Sequence, residues 1–310
     1  MLDWHIPALR DFDAAQKAAE ISHSLINDEA FSTIFLYRKK FGIMISFRDG
    51  LMFRLYELRP GDFYYTLPLG IDYSDSSAEN IECFKDALAA LKNDADENRR
   101  RFKFILITDD KKSLLEKAFP SRFTFTENPD FSDYIYNAQS MASLAGKKLQ
   151  KKRNHVSHFM KTHSDVRFEA VNESNIADAL KIEDRWFSEN NGEFDFDKII
   201  ELEMIQTALL NMKTLDLKGG ILYADGQPAA MTIGSKISSD AFDINFEKSC
   251  SPFEKDGAYT AIFYEFAKTL EGFRFINREE DLGIEGLRRA KQSYQPEMLL
   301  AKRQALEVIS

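Results

Sequence analysis

The fold is decided between Gly219 and Leu270: GGILYADGQPAAMTIGSKISSDAFDINFE (Gly219–Glu247), then KSCSPFEKDGAYTAIFYEFAKTL (Lys248–Leu270). Gly220–Ala224 and Ala229–Ile237 are strand runs, and Asp225-Gly226 between them is a hairpin pair that accepts left-handed backbone. Ala241–Glu247 is a third strand. Asp256–Leu270 reads as a helix, with Tyr259, Ile262, Phe263, Phe266 and Leu270 on one side. Phe273–Ile276 is strand again. A hairpin, a strand, a helix and a further strand predict a mixed sheet covered by helices.

Working outward, the first half has the same order. Gly42–Phe47 and Leu51–Glu57 flank Asp49-Gly50, Phe63–Leu67 follows, Ala78–Lys92 is a helix and Phe102–Ile107 a buried strand. The charged run Asp94–Arg101 reads as a solvated connection, Lys112–Phe119 as a short helix, and Phe123–Glu127 and Asp133–Tyr136 as strands. In the second half, Leu149–His163, Ser174–Asn190, Phe196–Leu215 and Ile284–Gln292 read as helices. Val166–Val171 and Met298–Lys302 read as strands. The repetition lies in element order, not in residues. It predicts an α/β (α+β) protein of two similar domains, 1–140 and 141–310, split near Asn137–Gly146.

Composition narrows the classes. A chain of 310 residues has room for one large or two ordinary domains. A net charge of -9 means that nucleic acid contact needs a local basic patch. Two cysteines, Cys83 and Cys250, argue against a disulfide framework or a cysteine-rich metal site. His155 and His158 lack a carboxylate partner nearby in sequence and HExxH is absent, so no metal is expected. No run reaches the roughly 18 apolar residues of a membrane span, and the N-terminus carries no basic-then-apolar signal, so a cytoplasmic location without an integral membrane segment is expected. The absence of GxSxG, P-loop and Rossmann fingerprints leaves serine hydrolase, NTPase and dehydrogenase readings without support.

Tandem copies of this element order resemble GNAT-type acyltransferases. In that family a loop rich in arginine and glycine cradles phosphate. Here the loop Glu247–Ala258 has one glycine and two lysines, which departs from the pattern. A closer likeness covers most of the chain: Asp133-Tyr134-Ile135-Tyr136, Leu144–Lys148, Lys152-Arg153-Asn154-His155, Asn277–Gly283 and Gly286–Pro296. These motifs resemble a bacterial family of unknown function similar to the C-terminal catalytic domain of phosphatidylglycerol lysyltransferases, which move an aminoacyl group from tRNA to a lipid head group. The resemblance implies two GNAT-like domains in tandem. It also implies direct acyl or aminoacyl transfer, with aminoacyl-tRNA or acyl-CoA as donor and a small-molecule or peptide amine or hydroxyl as acceptor. The alternatives are a non-catalytic module binding a small anion or peptide, and an acetyl-CoA-dependent N-acetyltransferase.

Candidate site residues stand where charge occupies apolar periodicity. Lys152 and Arg153 flank the face formed by Leu149, Val156, Phe159 and Met160. They either snorkel past the core edge or, with Asn154, hold an anion in a cleft. Ile284, Leu287 and Lys291 share a helix face, which places Lys291 in a buried ion pair or on a pocket wall beside Arg288. Asn277–Asp281 follows a strand, where sites are common in α/β sheets. Glu280 and Asp281 are candidates for a general base, with Arg278 as the orienting cation. Asp281 could instead cap the next helix. Tyr294 is a candidate general acid or a packed core phenol.

Overall fold

The computed structural model describes residues 2–190 and 196–308. Helices α1 (Phe12–Ile21) and α2 (Phe31–Tyr37) precede a meander of β1 (Met44–Arg48), β2 (Leu51–Arg59) and β3 (Asp62–Tyr65). Next come α3 (Ala78–Glu97), β4 (Lys103–Ile107), α4 (Asp109–Ala118), β5 (Phe123–Glu127) and β6 (Asp133–Asn137). The chain continues through α5 (Ala138–Ser143), α6 (Gln150–Thr162), β7 (Arg167–Ala170), α7 (Ile176–Asn190) and α8 (Phe196–Leu210). Strands β8 (Lys218–Ala224), β9 (Gln227–Lys236) and β10 (Ala241–Ser249) lead to α9 (Phe253–Asp256), α10 (Ala258–Ala267) and β11 (Phe275–Asn277). The chain closes with α11 (Glu285–Gln292), β12 (Met298–Leu300) and β13 (Arg303–Glu307).

The architecture is mixed α/β: two mixed sheets flanked by helices. One sheet has the order β1-β2-β3-β4-β13-β5 and the other β12-β6-β11-β10-β9-β8-β7. Each contains a parallel pair, β3 with β4 and β10 with β11, and each pair is joined by a helical crossover. Two strands cross over. β6 lies in the second sheet, and the last strand, β13, inserts between β4 and β5 of the first.

Apolar periodicity dictates the layers. Phe84, Leu88 and Leu91 of α3, with Leu114 and Leu115 of α4, pack on Phe53, Leu55 and Phe104. Between the sheets, α1, α2, α7 and α8 contribute Ala15, Phe31, Ile34, Ile182, Ile205 and Leu209 to one shared core. The far side of the second sheet is covered by α5, α6 and α10 through Met141, Val156, Phe263 and Phe266. Gly234 is required in β9, because a Cβ there would lie 2.3 Å from Asp243 O and 2.4 Å from the Phe242 ring.

Three elements differ from the sequence reading. The charged run begins as helix: α3 continues to Glu97, and Asp94 is buried because Trp4 Nε1 (2.8 Å), Tyr65 OH (2.6 Å) and Arg100 (3.1 Å) donate to it. Helices α1 and α2 lie on either side of Ser22–Phe31, the stretch whose sequence reads as a helical or irregular entry. The strand expected at Met298–Lys302 ends at Leu300, where the chain passes to the other sheet and begins β13.

Candidate active site where two parallel strands part

Strands β10 and β11 stay in register for only three residues, the last pair being Asp243 and Asn277. Beyond that point β10 continues to Ser249 through a bulge between Ile244 and Phe246. β11 ends and turns away through left-handed backbone at Glu279 (φ 57°) and Leu282 (φ 54°). The parting strands leave a notch with two faces.

On the α10 face, Arg278 bridges the notch. Its NH2 donates to both Glu247 oxygens at 3.1 Å. The guanidinium carbon lies 4.0 Å from the Phe263 ring centroid and 4.9 Å from that of Tyr294. Lys152 Nζ sits 3.7 Å from the same Tyr294 centroid. Burial, then the charge of Arg278, lowers the Lys152 ammonium to about 8. Tyr294 is buried, donates to Thr260 Oγ1 at 3.3 Å and has its phenol pushed up by burial. Burial likewise pushes the Glu247 carboxyl up against the pull of Arg278.

The opposite face opens into a cavity of about 870 Å³ between the two sheets. Its wall includes Asp28, Tyr37, Asn245, Glu279, Glu280 and Lys302. Lys302 is nearly buried and meets four oxygens: Asp133 Oδ1 (2.7 Å), Asp28 Oδ2 (2.8 Å), Glu280 Oε2 (3.1 Å) and Asn27 Oδ1 (3.2 Å). Burial drives the Glu280 carboxyl up, but Lys302 outweighs it and the group lies below its ordinary value. Burial, then the repulsion of Glu280, pushes Glu279 to about 8. Burial brings Asp133 to about 6 despite Lys302, and carries Asp243 well above the carboxylate range. Asn245 Nδ2 donates to Asp243 Oδ2 (2.7 Å) and Thr33 Oγ1 (3.0 Å), which leaves Asn245 Oδ1 and Asp243 Oδ1 buried without donors among the described residues.

The structure gathers some of the residues singled out in the sequence and separates others. Lys152, Arg278 and Tyr294 meet on the α10 face. Lys291 is buried and donates to the backbone oxygens of Arg278 and Glu280, bracing the strand end from the cavity side. Asn277 is buried and donates to Leu25 O and Asp133 Oδ2, each at 2.8 Å. Arg153 does not join them: it donates to Leu144 O and Gly146 O, closing the loop before α6. Asn154 is exposed and accepts from Gln150 at 2.8 Å. Asp281 accepts from Tyr134 OH (2.6 Å), Arg288 Nε and NH2 (2.8 Å each) and Gly283 N (2.9 Å). The Arg288 bonds hold its carboxyl well below the usual range, so it clamps the turn and is a poor base. Arg288 also pairs with Asp130 at 2.6 Å, away from the notch.

Glu247, Glu279, Asp243, Asn245 and Lys302 were not among the candidates. A signal existed for three of them. In the run read as a third strand, Asp243, Asn245 and Glu247 are polar at a spacing of two. Lys302 carried none, since its partners come from positions 27, 28, 133 and 280.

The loop before α10 is poorly suited to a pyrophosphate. Ser251 N donates to Glu189 (2.9 Å), Glu254 N to Cys250 O and Lys255 N to Pro252 O. Asp256 is held by His163 Nε2 at 3.2 Å. Gly257 lies so close to α6 that a Cβ would be 3.2 Å from His155 O. Lys248 turns away to Glu201 (2.7 Å) and the Trp186 ring. Among the described residues no group of His, Cys, Asp and Glu is arranged to hold a metal ion.

Residues 20–304 match the family profile of the phosphatidylglycerol lysyltransferase C-terminal region. The chain belongs to the phosphatidylglycerol lysyltransferase C-terminal family. A conserved protein of unknown function from Bacteroides thetaiotaomicron is 33% identical over 99% of this chain and all of its own, with a TM-score of 0.90. L-PGS from Bacillus licheniformis shares the fold at 13% identity and a TM-score of 0.65, covering 98% of this chain and 93% of its own. FemX does so at 11% identity and a TM-score of 0.63, covering 99% and 98%. Comparison with curated protein sequences gives no match. Among the described residues of this lysyltransferase-family chain, no helix is long and apolar enough to cross a membrane.

Proposed function

We propose that this chain transfers an acyl group of the aminoacyl kind directly from an ester donor, such as aminoacyl-tRNA, to an amine or hydroxyl acceptor. The observation that carries the reading is the 870 Å³ cavity at the parting of β10 and β11, walled by the ionised Glu280, Glu279 and the ammonium of Lys302. Such transfer needs two substrates held together, a proton path and charge stabilisation at the carbonyl, with no covalent enzyme intermediate. Tyr294, on the α10 face of the notch, keeps its proton and can donate a hydrogen bond to a bound group. Lys152, on the same face, lies 3.7 Å from the Tyr294 ring centroid and adds positive charge near Arg278. Arg278 is placed to stabilise developing negative charge. We also assign the two sheets to two GNAT-like units in tandem.

The loop before α10 favours an ester donor over acyl-CoA, since Glu254 and Asp256 repel phosphate and the N–H groups of Ser251, Glu254, Lys255 and Gly257 are already bonded. The exposed lysines Lys147, Lys148 and Lys151 ahead of Lys152 offer a path for a nucleic acid backbone instead. The test is mass spectrometry of ligands that co-purify with the protein, followed by incubation with radiolabelled lysyl-tRNA or alanyl-tRNA and small amine and hydroxyl acceptors. Transfer that is lost in Lys152→Met and Tyr294→Phe is expected. Tight acetyl-CoA binding without tRNA binding would restore the acetyltransferase alternative. Ligand binding without turnover of any donor would leave the non-catalytic module.

A further inference from the structure

The charged groups on the cavity wall are engaged almost throughout. Asp28 and Glu280 hold Lys302, Glu127 holds Arg303 at 2.8 Å, and Glu201 holds Lys248. Lys40 pairs with Asp197 at 2.9 Å, and Lys291 is spent on backbone oxygens. Among the described residues, the Glu279 carboxyl is the exception, with no hydrogen-bond or ion-pair partner. Its backbone is fixed nevertheless: Glu279 N donates to Asn277 Oδ1 at 2.6 Å, and its O accepts from Tyr134 N at 3.1 Å. A left-handed φ of 57° at a glutamate is uncommon and marks a place where the surroundings dictate direction. An unspent carboxyl on a fixed backbone, facing a cavity at the end of a split strand pair, is placed to act on a ligand.

We infer that Glu279 is the proton-transfer residue of this cavity, with Lys302 as its positioning residue. The inference rests on the transfer reading above. As the acceptor N–H or O–H attacks the donor carbonyl carbon, a new C–N or C–O bond forms and the acyl–oxygen ester bond breaks. Its electron pair leaves on the donor oxygen, which takes the Glu279 proton. The carboxylate left behind takes the proton released by the acceptor, so Glu279 ends as it began and no redox partner is needed. Lys302 fixes Glu280, Asp28 and Asp133 around it, which keeps Glu280 ionised beside a protonated Glu279. Two adjacent carboxyls driven apart in this way are the usual mark of an acid–base pair. The charged and titratable groups facing Glu279 are Glu280, Lys291 of α11, Asp133 of β6 and Lys302. Tyr37 of α2 and Asp243 of β10 face it as well. Together with burial, these groups bring it to about 8, near a working pH.

The experiment compares wild type, Glu279→Gln, Glu279→Asp and Lys302→Met in lysyl-tRNA and alanyl-tRNA transfer from pH 6 to 9.5, with tRNA binding measured alongside. Glu279→Gln is expected to lose about 100-fold or more in rate and the limb of the pH profile near 8, with tRNA affinity unchanged. Glu279→Asp should recover part of the rate, and Lys302→Met should shift the limb rather than abolish it. An active wild type whose rate and pH limb survive in Glu279→Gln overturns the inference and leaves the transfer reading standing. Carbon-13 NMR of glutamate δ-carbons, assigned by difference against Glu279→Gln, tests the carboxyl itself. A midpoint in the ordinary range near 4 overturns the inference without any activity assay. A midpoint near 8 with no transfer from either donor sinks the transfer reading, and the catalytic role falls with it.

Discussion

Lys302→Met removes one ammonium and keeps the length of the side chain, and the structure sets what that should cost. Wild-type Lys302 is 7% exposed and lies within 3.2 Å of four oxygens, three of them carboxylate. Deleting one partner of a buried ionic group typically costs about 3–5 kcal/mol, because the remaining charges stay buried without compensation. The loss should depend on pH in a defined direction. Glu280 is held below its ordinary value by Lys302, so in wild type it contributes stability above its unfolded pKa that is lost as pH falls through the folded one. Asp133 is the opposite case. Its folded value is raised to about 6, so the stability linked to it is present at low pH and lost as pH rises through 6. Without Lys302 both carboxyls move upward, Glu280 from below its ordinary value and Asp133 from above it, and the variant relieves its buried charge by taking up protons. We therefore expect a deficit of about 4 kcal/mol at pH 8 and about half of that at pH 5. At about 2–4 °C per kcal/mol the melting temperature should fall by roughly 10 °C at pH 8. Calorimetric or circular dichroism melts at both pH values check this. A loss under about 1 kcal/mol, or one equal at both pH values, would refute the hub.

Further outcomes follow from other groups. Glu183 is fully buried with neither oxygen hydrogen-bonded among the described residues, and burial raises it to about 7. Stability linked to it is lost as pH rises through 7, so Glu183→Met should be more stable than wild type by up to about 3 kcal/mol at pH 8.5 and show a flatter pH–stability curve by urea titration. Arg278→Lys loses the planar guanidinium that lies 4.0 Å from the Phe263 and 4.9 Å from the Tyr294 ring centroid while its NH2 donates to Glu247, and transfer by the variant should fall at least about 10-fold with tRNA affinity kept, read as kcat against KM. Reversing Lys147, Lys148 and Lys151 to Glu should weaken tRNA binding and flatten its salt dependence in filter binding at 50 and 200 mM salt. An unchanged salt slope would remove α6 from the nucleic acid path.

The elements were legible where one face is apolar and the pattern is local. The hairpins at Asp49-Gly50 and Asp225-Gly226 and the amphipathic α3 and α10 could be read directly, because turn chemistry and periodicity act within a few residues. β13 escaped: in Arg303–Glu307 only Ala305 is fully buried, and its place between β4 and β5 is fixed by partners nearly 200 residues away. The site divides in the same way. Arg278, Glu280, Lys291 and Tyr294 stood out as charge or phenol at apolar or strand-end positions. The two oppositely charged partners that matter most to them, Glu247 for Arg278 and Lys302 for Glu280, are distant in sequence. Asp281 and Arg288 look like catalytic groups in one dimension, yet they neutralise each other across one turn.

The crossing strands explain why so many carboxyls share one cavity. β6 leaves the first half of the chain to lie between β12 and β11, bringing Asp133 beside Asn277. The two residues between β12 and β13 then return the chain to the first sheet, and Lys302 is one of them. The ammonium at that crossing faces the turn at Asn27–Asp28, β6 and the Glu280 loop together. A division of the chain at 140 therefore places β13 apart from the sheet it completes, and Lys302 apart from Asp28 and Asp133. Burying acids at such a seam costs stability unless a cation meets them, and Lys302 meets three while Glu279, beside them, is left to hold a proton. Stability and the proposed chemistry are thus set by the same few groups, which is why the pH dependence of folding in Lys302→Met and the pH profile of transfer in Glu279→Gln should report on one electrostatic unit.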